Sequence, residues 1–387
     1  MKFKKITAII LSLCIAIGAS IVTAFAEPDT SGNTDKFGLD CRSAILMEAG
    51  TGKVLYEMNA DESLPPASVT KVMTLLLVME AIEGGKISLS DTVTASAHAC
   101  SMGGSQIYLN EGEQMSVEDL IKSVVIASAN DAALALAEYV AGTEEAFVEQ
   151  MNKRAEALGL TGTHFENTNG LDDTVQNHVS TARDIAVMSR ELIKHEKITE
   201  YSSIWMDTIR DGAFGLTNTN RLVRFYKGAT GLKTGSTAKA KFCITATAER
   251  EGMSLICVIM AAPTRDIRNA AATSLLDWGF ANYAVYRNEG MSLEPLRVLG
   301  GVKNSCEVAY PEFSCVVNKA DIPNISFSIE LEEKIAAPVK QGESVGRVTY
   351  KLGDSELGTT DITAQEEIEK IGFGGLLFRM LSKMCIC

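Results

Sequence analysis

The spacing of apolar residues between positions 43 and 283 predicts strands at both ends of this region and helices in between. Two apolar-rich segments flank Ala49-Gly50-Thr51-Gly52, which is typical of a β-hairpin. Two more flank Glu251-Gly252, and a long helical pattern follows them. The predicted strands are 43–47, 54–58, 242–248 and 253–261, and the predicted helices begin at residues 68, 116, 132, 144, 180 and 265. This order predicts an α+β fold in which helices flank an antiparallel sheet.

The pattern changes after residue 287. Short segments of alternating apolar and polar residues, such as 308–310, 325–330 and 344–352, are separated by glycine, proline and asparagine. We therefore predict a small β-rich domain over 288–364, following a larger domain over 38–287. Two domains agree with a chain of 387 residues, which is more than one apolar core usually organises.

Residues 365–387 carry an apolar stripe of helical period. Its members are Phe373, Leu376, Leu377, Met380, Leu381 and Met384, whereas Lys370, Arg379 and Lys383 lie off the stripe. The stripe predicts an amphipathic helix that lies on a membrane surface. A helix docked on an apolar core would show the same stripe. We favour the membrane because the segment is terminal and basic in an acidic chain.

Residues 1–26 match the pattern of an export signal. Lys2, Lys4 and Lys5 precede an apolar run, and Ala24-Phe25-Ala26 matches a signal-peptide cleavage site. An uncleaved membrane anchor is the alternative, because the apolar run is long. A polar linker over 27–37 would then begin the exported chain.

Composition argues against two classes of function. Without the three lysines of residues 1–26 the chain has 33 basic and 49 acidic residues, a net charge of −16, whereas a nucleic-acid partner would favour a basic face. The cysteines and histidines show no spacing typical of a metal site, so neither a metal nor another cofactor is predicted. Outside the cytoplasm Cys243 and Cys257, or Cys306 and Cys315, could form disulfides, and buried free thiols explain them at least as well.

The first candidate for chemistry is Ser68, which follows Pro65-Pro66-Ala67 at a predicted helix start. Lys71 lies three residues later, so on a helix its amine would face the serine hydroxyl. An uncharged lysine held close to a serine can remove the hydroxyl proton and make the serine nucleophilic. Ser-x-x-Lys alone is a weak signal, because Ser236 and Lys239 repeat it and an N-cap serine beside a solvated lysine would look the same.

Two further motifs follow in the chain. Ser128-Ala129-Asn130 is a polar break between two apolar helices, where a buried hydroxyl and a buried amide need partners. A plain helix-capping turn is the alternative, and Ser31-Gly32-Asn33 in the linker repeats the same spacing. Lys233-Thr234-Gly235 leads into a predicted strand.

In this order the three motifs resemble those of the penicillin-recognising serine enzymes, which carry them at a helix start, an interhelical turn and a strand. With its export signal, β-rich second domain and amphipathic tail, the chain resembles a low-molecular-mass penicillin-binding protein of the serine-type D-alanyl-D-alanine carboxypeptidase family. Asn169-Gly170-Leu171 and Thr230-Gly231-Leu232 match that family as well. The chain departs from the family pattern at Ala240-Lys241, where a glycine commonly follows the alanine.

The resemblance implies a reaction on peptidoglycan stem peptides that end in D-Ala-D-Ala. Ser68 would attack the carbonyl of the penultimate D-alanine and form an acyl-enzyme, with Lys71 as the base. Ser128 would pass a proton to the leaving D-alanine, and Asn130 would hold the substrate amide. The backbone amides of Ser68 and Ser236 would form the oxyanion hole.

The resemblance also implies how the free carboxylate of the substrate is bound and where the protein acts. The substrate-binding residues would be Lys233, Thr234, Gly235, Ser236 and Thr237, with Arg221 as a second cation. For Arg221 a solvated surface arginine is the alternative. β-Lactams would acylate the same serine, and the protein would work at the extracytoplasmic face of a bacterial membrane, bound to it through the tail.

Other functions share the three motifs. A class A β-lactamase adds a Glu-x-x-Leu-Asn element, which no glutamate between Glu138 and Glu200 begins. A non-catalytic penicillin-binding wall protein with a degenerate site would have no reason to keep all five of the residues Ser68, Lys71, Ser128, Asn130 and Lys233. Endopeptidase and transpeptidase reactions use the same acyl-enzyme and stay open as alternatives.

Overall fold

The structure of the protein, a computed structural model, describes residues 37–173 and 175–384. The predicted export signal and the linker up to residue 36 lie outside the described residues, as do Cys385 and Cys387. The predicted domain boundary after residue 287 stays a prediction. Cys243, Cys257, Cys306 and Cys315, which the sequence left open as disulfide partners, are free thiols.

Ten α-helices lie in the described part of the chain. They are α1 (Lys71–Glu83), α2 (Ala97–Cys100), α3 (Val117–Ile126), α4 (Asn130–Ala141), α5 (Glu144–Ala157), α6 (Ala182–Leu192), α7 (Glu196–Ser202), α8 (Leu222–Phe225), α9 (Arg265–Asn282) and α10 (Phe373–Met384). Helices α2, α3, α5, α6 and α9 each follow a serine or threonine whose side chain accepts a hydrogen bond from a backbone N–H of the first turn. These caps fix the helix starts, because the first backbone N–H groups of a helix have no partner within it.

The central sheet is antiparallel and has the strand order β2-β1-β9-β8-β7. The strands before residue 263 are β1 (Ser43–Glu48), β2 (Val54–Met58), β3 (Thr92–Thr94), β4 (Gln114–Ser116), β5 (Met206–Ile209), β6 (Phe214–Thr217), β7 (Ala229–Thr237), β8 (Lys241–Arg250) and β9 (Met253–Ala262). The hairpin of β1 and β2 and the pairing of β8 with β9 are therefore confirmed. Strand β7 forms one edge of this sheet.

Alternation along the sheet strands places apolar side chains in two separate cores. On β9, Val258 and Met260 are buried in the core that contains helices α1, α3, α4 and α6. Their neighbours Cys257 and Ile259 are buried in a second core with Leu275 of α9. Because side chains of a strand point alternately to opposite faces, the sheet lies between a layer of many helices and the single helix α9. This is the predicted arrangement of a sheet flanked by helices.

The segment before α1 differs from the prediction of one continuous helix from Ser68. Residues 67–70 form a 3-10 turn, and the α-helix begins only at Lys71. The N–H of Val69 donates to the carbonyl of Pro66 over 3.2 Å, and Ala67 has a φ of +50°. A left-handed residue cannot belong to a right-handed helix, so no regular helix extends back through Ala67, and Ser68 lies in the turn just ahead of α1.

The C-terminal part is rich in strands, as predicted. They are β10 (Tyr283–Asn288), β11 (Met291–Ser292), β12 (Leu296–Leu299), β13 (Ser305–Cys306), β14 (Val308–Tyr310), β15 (Phe313–Asn318), β16 (Ile325–Leu331), β17 (Lys334–Ala336), β18 (Ser344–Leu352) and β19 (Ser355–Ala364). Its largest sheet has the order β11-β14-β19-β18-β16. The fully buried Tyr350 stacks on Phe313 with ring centroids 3.9 Å apart, at the centre of a third apolar core.

Helix α10 exposes the predicted apolar stripe. Phe373, Leu376, Leu377, Met380 and Leu381 are between 46% and 83% exposed, so these side chains are not docked on a core of the protein. Beside the stripe, the guanidinium of Arg379 donates to the carbonyl of Val302 over 2.8 Å. Within the described residues, no helix combines the length and the apolar character needed to cross a bilayer.

Candidate active site

Ser68 is held in its turn by a loop that packs directly against it. Gly170 has a φ of +86°, and a Cβ atom at this position would lie 1.9 Å from the carbonyl oxygen of Ala67. Only glycine allows this approach of two backbone segments. The Asn169-Gly170-Leu171 loop, noted in the sequence for its family resemblance, therefore supports the serine turn.

The side chain of Lys71 meets Ser68 in a buried position. Lys71 Nζ lies 3.0 Å from Ser68 Oγ, 2.5 Å from Asn130 Oδ1 and 2.9 Å from the carbonyl oxygen of Asn169. Lys71 is fully buried. Burial lowers the pKa of its amine well below the ordinary value, and the charge of Lys233 lowers this pKa further. The amine is therefore positioned and biased to accept a proton from Ser68.

Ser128 and Asn130 lie at the junction of α3 and α4. Ser128 is buried and has a φ of +62°, and Asn130 is the first residue of α4. The amide nitrogen of the Asn130 side chain donates to the carbonyl of Gly103 over 2.6 Å, while its oxygen accepts from Lys71. Both polar ends of Asn130 are thus engaged, and one of them orients Lys71. The sequence shows a polar break between two apolar helices, and the structure places this break at the candidate active site.

Strand β7 forms the opposite wall. Lys233 is buried, its amine donates to the carbonyl of Thr234 over 3.0 Å, and burial together with the charge of Arg268 lowers its pKa to about 7. The hydroxyl of Thr234 donates to Thr219 Oγ1 over 2.9 Å. At Gly235 a Cβ atom would lie 2.8 Å from the backbone nitrogen of Ser68, so β7 packs against the serine turn without space for a side chain.

The remaining predicted residues lie at the rim of the site. Ser236 is exposed on β7, and Arg221 is exposed just ahead of α8. The hydroxyl of Thr237 donates to the carboxylate of Asp172 and accepts from the N–H of Ala240. To bind a substrate, the hydroxyl of Thr237 would have to give up its hydrogen bond to Asp172.

A cleft of about 580 Å³ joins these elements. Six of the predicted residues line it: Ser68, Ser128, Thr234, Gly235, Ser236 and Arg221. Its volume is typical of sites that bind small peptides and drug-sized ligands. The structure therefore brings the serine turn, the interhelical turn and the edge strand to one concave surface.

The cleft also contains residues that the sequence reasoning missed. Arg268 and Arg265, in the first turn of α9, line it together with Trp205 and Phe225. Arg268 is buried, its guanidinium donates to the carbonyl of Cys243 over 3.2 Å, and burial lowers its pKa to about 10. No local sequence pattern identifies Arg268 as a residue of the site, because an arginine in the first turn of a helix after a strand resembles a solvated surface residue.

The fold and the site together define a penicillin-recognising serine enzyme. A family model described as D-alanyl-D-alanine carboxypeptidase matches residues 30–264, and one described as penicillin-binding protein 5, C-terminal domain, matches residues 286–370. The chain belongs to the D-alanyl-D-alanine carboxypeptidase family. The predicted family, α+β fold class and enzyme class, a serine-type carboxypeptidase, are thereby confirmed.

Three known proteins show the extent of the similarity. The D-alanyl-D-alanine carboxypeptidase DacF of Bacillus subtilis (strain 168) is 40% identical over 380 residues, which is 95% of this chain and 96% of that protein. The structure of penicillin binding protein 5 from Haemophilus influenzae has a TM-score of 0.75 at 30% identity and covers 86% of this chain and 98% of its own. Penicillin-binding protein D2 from Listeria monocytogenes, solved in its ampicillin-bound form, has a TM-score of 0.58 at 33% identity and covers 63% of this chain and 99% of its own.

Proposed function

We propose that this protein removes the terminal D-alanine from peptidoglycan stem peptides that end in D-Ala-D-Ala, through an acyl-enzyme on Ser68. The observation that carries the proposal is the distance of 3.0 Å between Ser68 Oγ and the buried amine of Lys71. Because burial lowers the pKa of this amine, it can accept the hydroxyl proton as the serine attacks.

Acylation and deacylation follow from this pair. Ser68 Oγ bonds to the carbonyl carbon of the penultimate D-alanine, and the bond from that carbon to the terminal nitrogen breaks. D-alanine leaves as the amine, with a proton passed through Ser128, which is buried in the same cleft. Water then hydrolyses the ester, which releases the shortened peptide and restores Ser68.

The developing oxyanion would be bound by the backbone N–H groups of Ser68 and Ser236. The close packing of Gly235 on the backbone nitrogen of Ser68 supports this assignment. Ser236 directly follows Gly235 on β7, so its N–H lies near the N–H of Ser68. Fixed backbone donors at this place stabilise negative charge that exists only in the transition state.

Cations and hydroxyls beside the serine would bind the substrate carboxylate. Thr234 and Arg221 line the cleft, Lys233 lies buried next to Thr234, and Arg268 joins this group from α9. Charge-assisted hydrogen bonds to carboxylates are stronger than neutral ones. The side-chain oxygen of Asn130 holds Lys71 in place. To bind the substrate amide, the side-chain nitrogen of Asn130 would give up its hydrogen bond to the Gly103 carbonyl.

β-Lactams would acylate the same serine. Penicillin-binding protein D2 of Listeria monocytogenes has been solved with ampicillin bound, and its structure is similar to 63% of this chain. A β-lactam presents a strained amide and a carboxylate, which the Ser68–Lys71 pair and the Thr234 side of the cleft would accept.

The predicted export signal and the exposed stripe of α10 support a reaction at the extracytoplasmic face of the membrane. The exposed stripe of α10 supports membrane binding, since five large apolar side chains in water have no other favourable environment in the described structure. The β-rich region would then connect the catalytic region to the bilayer.

The function is tested by incubating the purified protein with a peptide ending in D-Ala-D-Ala and measuring free D-alanine. We expect release by the wild type and no release by Ser68→Ala, because Ser68 is the hydroxyl that lies 3.0 Å from the amine of Lys71. Ser328→Ala, at an exposed serine of β16, is the matched control and should release D-alanine like the wild type. Release by Ser68→Ala at the wild-type rate would contradict the proposal.

A further inference from the structure

A buried histidine lies behind the serine turn and has no part in the proposed reaction. His178 is 5% exposed, and its ring nitrogen Nε2 lies 2.7 Å from the hydroxyl oxygen of Thr70, which is 1% exposed. Thr70 is the last residue of the 3-10 turn that contains Ser68, and it directly precedes Lys71. His178 therefore contacts the short segment that joins the two members of the Ser68–Lys71 pair.

The hydrogen bonds of His178 define its tautomer. The backbone N–H of Glu166 donates to Nδ1 over 3.0 Å, so Nδ1 carries no proton. In the neutral ring the proton is then on Nε2, which donates to the hydroxyl oxygen of Thr70. A protonated ring would turn a second N–H toward that of Glu166 and lose this bond.

The surroundings of the ring favour the neutral form. Burial lowers the pKa of His178 to about 4, and His164 lowers it further, whereas the charges of Glu166 and Asp172 act in the opposite direction. At neutral pH the ring therefore carries one proton and can serve both partners at once.

The backbone beside His178 is paired on both sides. Val179 exchanges two hydrogen bonds with His164, of 2.9 Å and 3.0 Å, and Ser180 exchanges two of the same lengths with Leu64. A buried ring on a segment fixed in this way can hold a neighbouring segment in place through its hydrogen bonds.

His178 joins the serine turn to the loop that supports it. Thr70 belongs to the turn and Glu166 to the loop. The two segments also touch at a second point, since a Cβ atom at Gly170 would lie 2.7 Å from Thr70 Oγ1. The turn and the loop thus have little space to move independently.

Both of these segments position Lys71. The serine turn ends directly before it, and the carbonyl of Asn169 in the loop accepts from its amine over 2.9 Å. A shift of either segment would alter the 3.0 Å contact between Lys71 Nζ and Ser68 Oγ. A displacement of about 1 Å at a reacting pair can lower a rate about a hundredfold.

We propose that His178 is a positioning residue for acylation, which holds the Ser68–Lys71 pair at reacting distance. It acts through the hydrogen bond that it donates to Thr70 and the one that it accepts from Glu166. The inference rests on the proposed acyl-enzyme at Ser68. Because the ring is buried behind the turn, it affects the rate of acylation and not the binding of a ligand in the cleft.

The experiment follows β-lactam acylation of the full chain in detergent by stopped-flow fluorescence. It separates the rate constant of acylation from the dissociation constant of the first, noncovalent complex. His178→Leu removes both hydrogen bonds, and it should lower the rate constant at least about tenfold and change the dissociation constant less than about twofold. His178→Gln keeps an acceptor and a donor on one planar group, so it should restore most of the rate.

Thr70→Val removes the other partner of the same bond. It should slow acylation by a similar factor, and the double variant with His178→Leu should be no slower than the slower single variant, because both changes remove one interaction. If His178→Leu does not fold, as judged by thermal melting, Thr70→Val carries the same expectation.

His195→Leu is the matched control. His195 is also buried, at 7% exposure, and its Nδ1 lies 2.6 Å from the carboxylate of Glu83, the last residue of α1. Lys71 is at the opposite end of this helix. The control substitution should therefore lower Tm, as loss of a buried hydrogen bond does, and leave the rate constant of acylation unchanged.

The possible results separate positioning from a purely structural role. Acylation of His178→Leu at the wild-type rate would overturn the inference. So would a folded His178→Gln as slow as His178→Leu, or a change in the dissociation constant alone. Equal slowing by His195→Leu would overturn it too, because general loss of stability would then explain the effect. No acylation of the wild type would refute the proposed function, and this inference with it.

Discussion

Lys233 of β7 and Lys71 of α1 are both buried, and they lie close enough for the charge of Lys233 to act on Lys71. Burial is the main reason why the pKa of Lys71 is lowered, and the charge of Lys233 is the next. The pKa of Lys233 is itself lowered to about 7, by burial and by Arg268. The proposed mechanism gives the two amines opposite tasks, since Lys71 must be neutral to accept a proton and Lys233 must be charged to bind a carboxylate.

Because Lys71 must be neutral and Lys233 must be charged, we expect kcat/KM for a D-Ala-D-Ala peptide to show a bell-shaped pH dependence. Activity should rise with pH as Lys71 loses its proton, a step that the lowered pKa moves to lower pH. It should fall as pH increases through about 7, where free Lys233 loses its charge. A kcat/KM that continues to rise between pH 7 and pH 9 would show that the charge of Lys233 is not required.

Replacing Lys233 should change stability and activity in opposite directions. Lys233→Met removes a buried amine and keeps most of the volume, so we expect hydrolysis to be lost while the free energy of unfolding increases by about 1 kcal/mol, a few degrees in Tm. Because the pKa of Lys233 is lower in the folded state, wild-type stability should rise with pH between about 7 and 10.5. The variant should show a smaller rise. A less stable variant would mean that the bond of Lys233 to the Thr234 carbonyl outweighs the cost of burial.

The contact between Gly235 and Ser68 predicts a strong effect of one methyl group. Gly235→Ala would place a Cβ atom 2.8 Å from Ser68 N and 3.0 Å from Val69 N, both of them backbone atoms that cannot move aside alone. We expect β-lactam acylation to slow by about two orders of magnitude, as when an oxyanion donor is lost. The rate is measured by stopped-flow quenching of intrinsic fluorescence.

Gly215→Ala is the control for that substitution, since a Cβ atom at position 215 of β6 meets nothing within 4 Å. It should acylate like the wild type. If Gly235→Ala also acylates normally, the close packing of β7 on the serine turn has no role in the oxyanion site.

The three motifs could be predicted from sequence because each one is local. Ser68 and Lys71 are three residues apart, and so are Lys233 and the exposed Ser236 on one strand. The structure corrects the local detail, since Ser68 lies in a 3-10 turn ahead of α1 and not in the helix. The turn depends on the left-handed Ala67, which no local pattern indicated.

Other parts of the site could not be predicted, because they depend on contacts between distant segments. Arg268 reaches the cleft only because α9 packs on β8, where its guanidinium binds the Cys243 carbonyl. Asn169 contributes a backbone carbonyl to Lys71, and a carbonyl leaves no signal in the residue type. The bond from Thr237 to Asp172 likewise joins a strand to a loop that the sequence did not connect.

Removing residues 372–387, which takes away α10 and leaves the buried Ile368 in place, should release the protein from membranes without lowering its activity on a soluble peptide. Co-flotation with vesicles of anionic and zwitterionic lipid measures binding. A single change on the stripe, Leu377→Glu, should weaken binding, because a charge replaces a side chain that is 48% exposed on the apolar face. Gly375→Glu, on the other side of α10, is the control and should bind normally. Unchanged flotation of the shortened protein would refute the membrane role of the tail.

The most direct test of the Ser68–Lys71 pair is acylation by a fluorescent penicillin, followed by digestion and mass spectrometric mapping of the label. We expect label on Ser68 of the wild type and none on Ser68→Ala. Acylation of folded Lys71→Ala should be at least about a hundredfold slower, because a general base of this kind contributes at least that factor. Label on another residue, or rapid acylation of Lys71→Ala, would contradict the proposed roles of the pair.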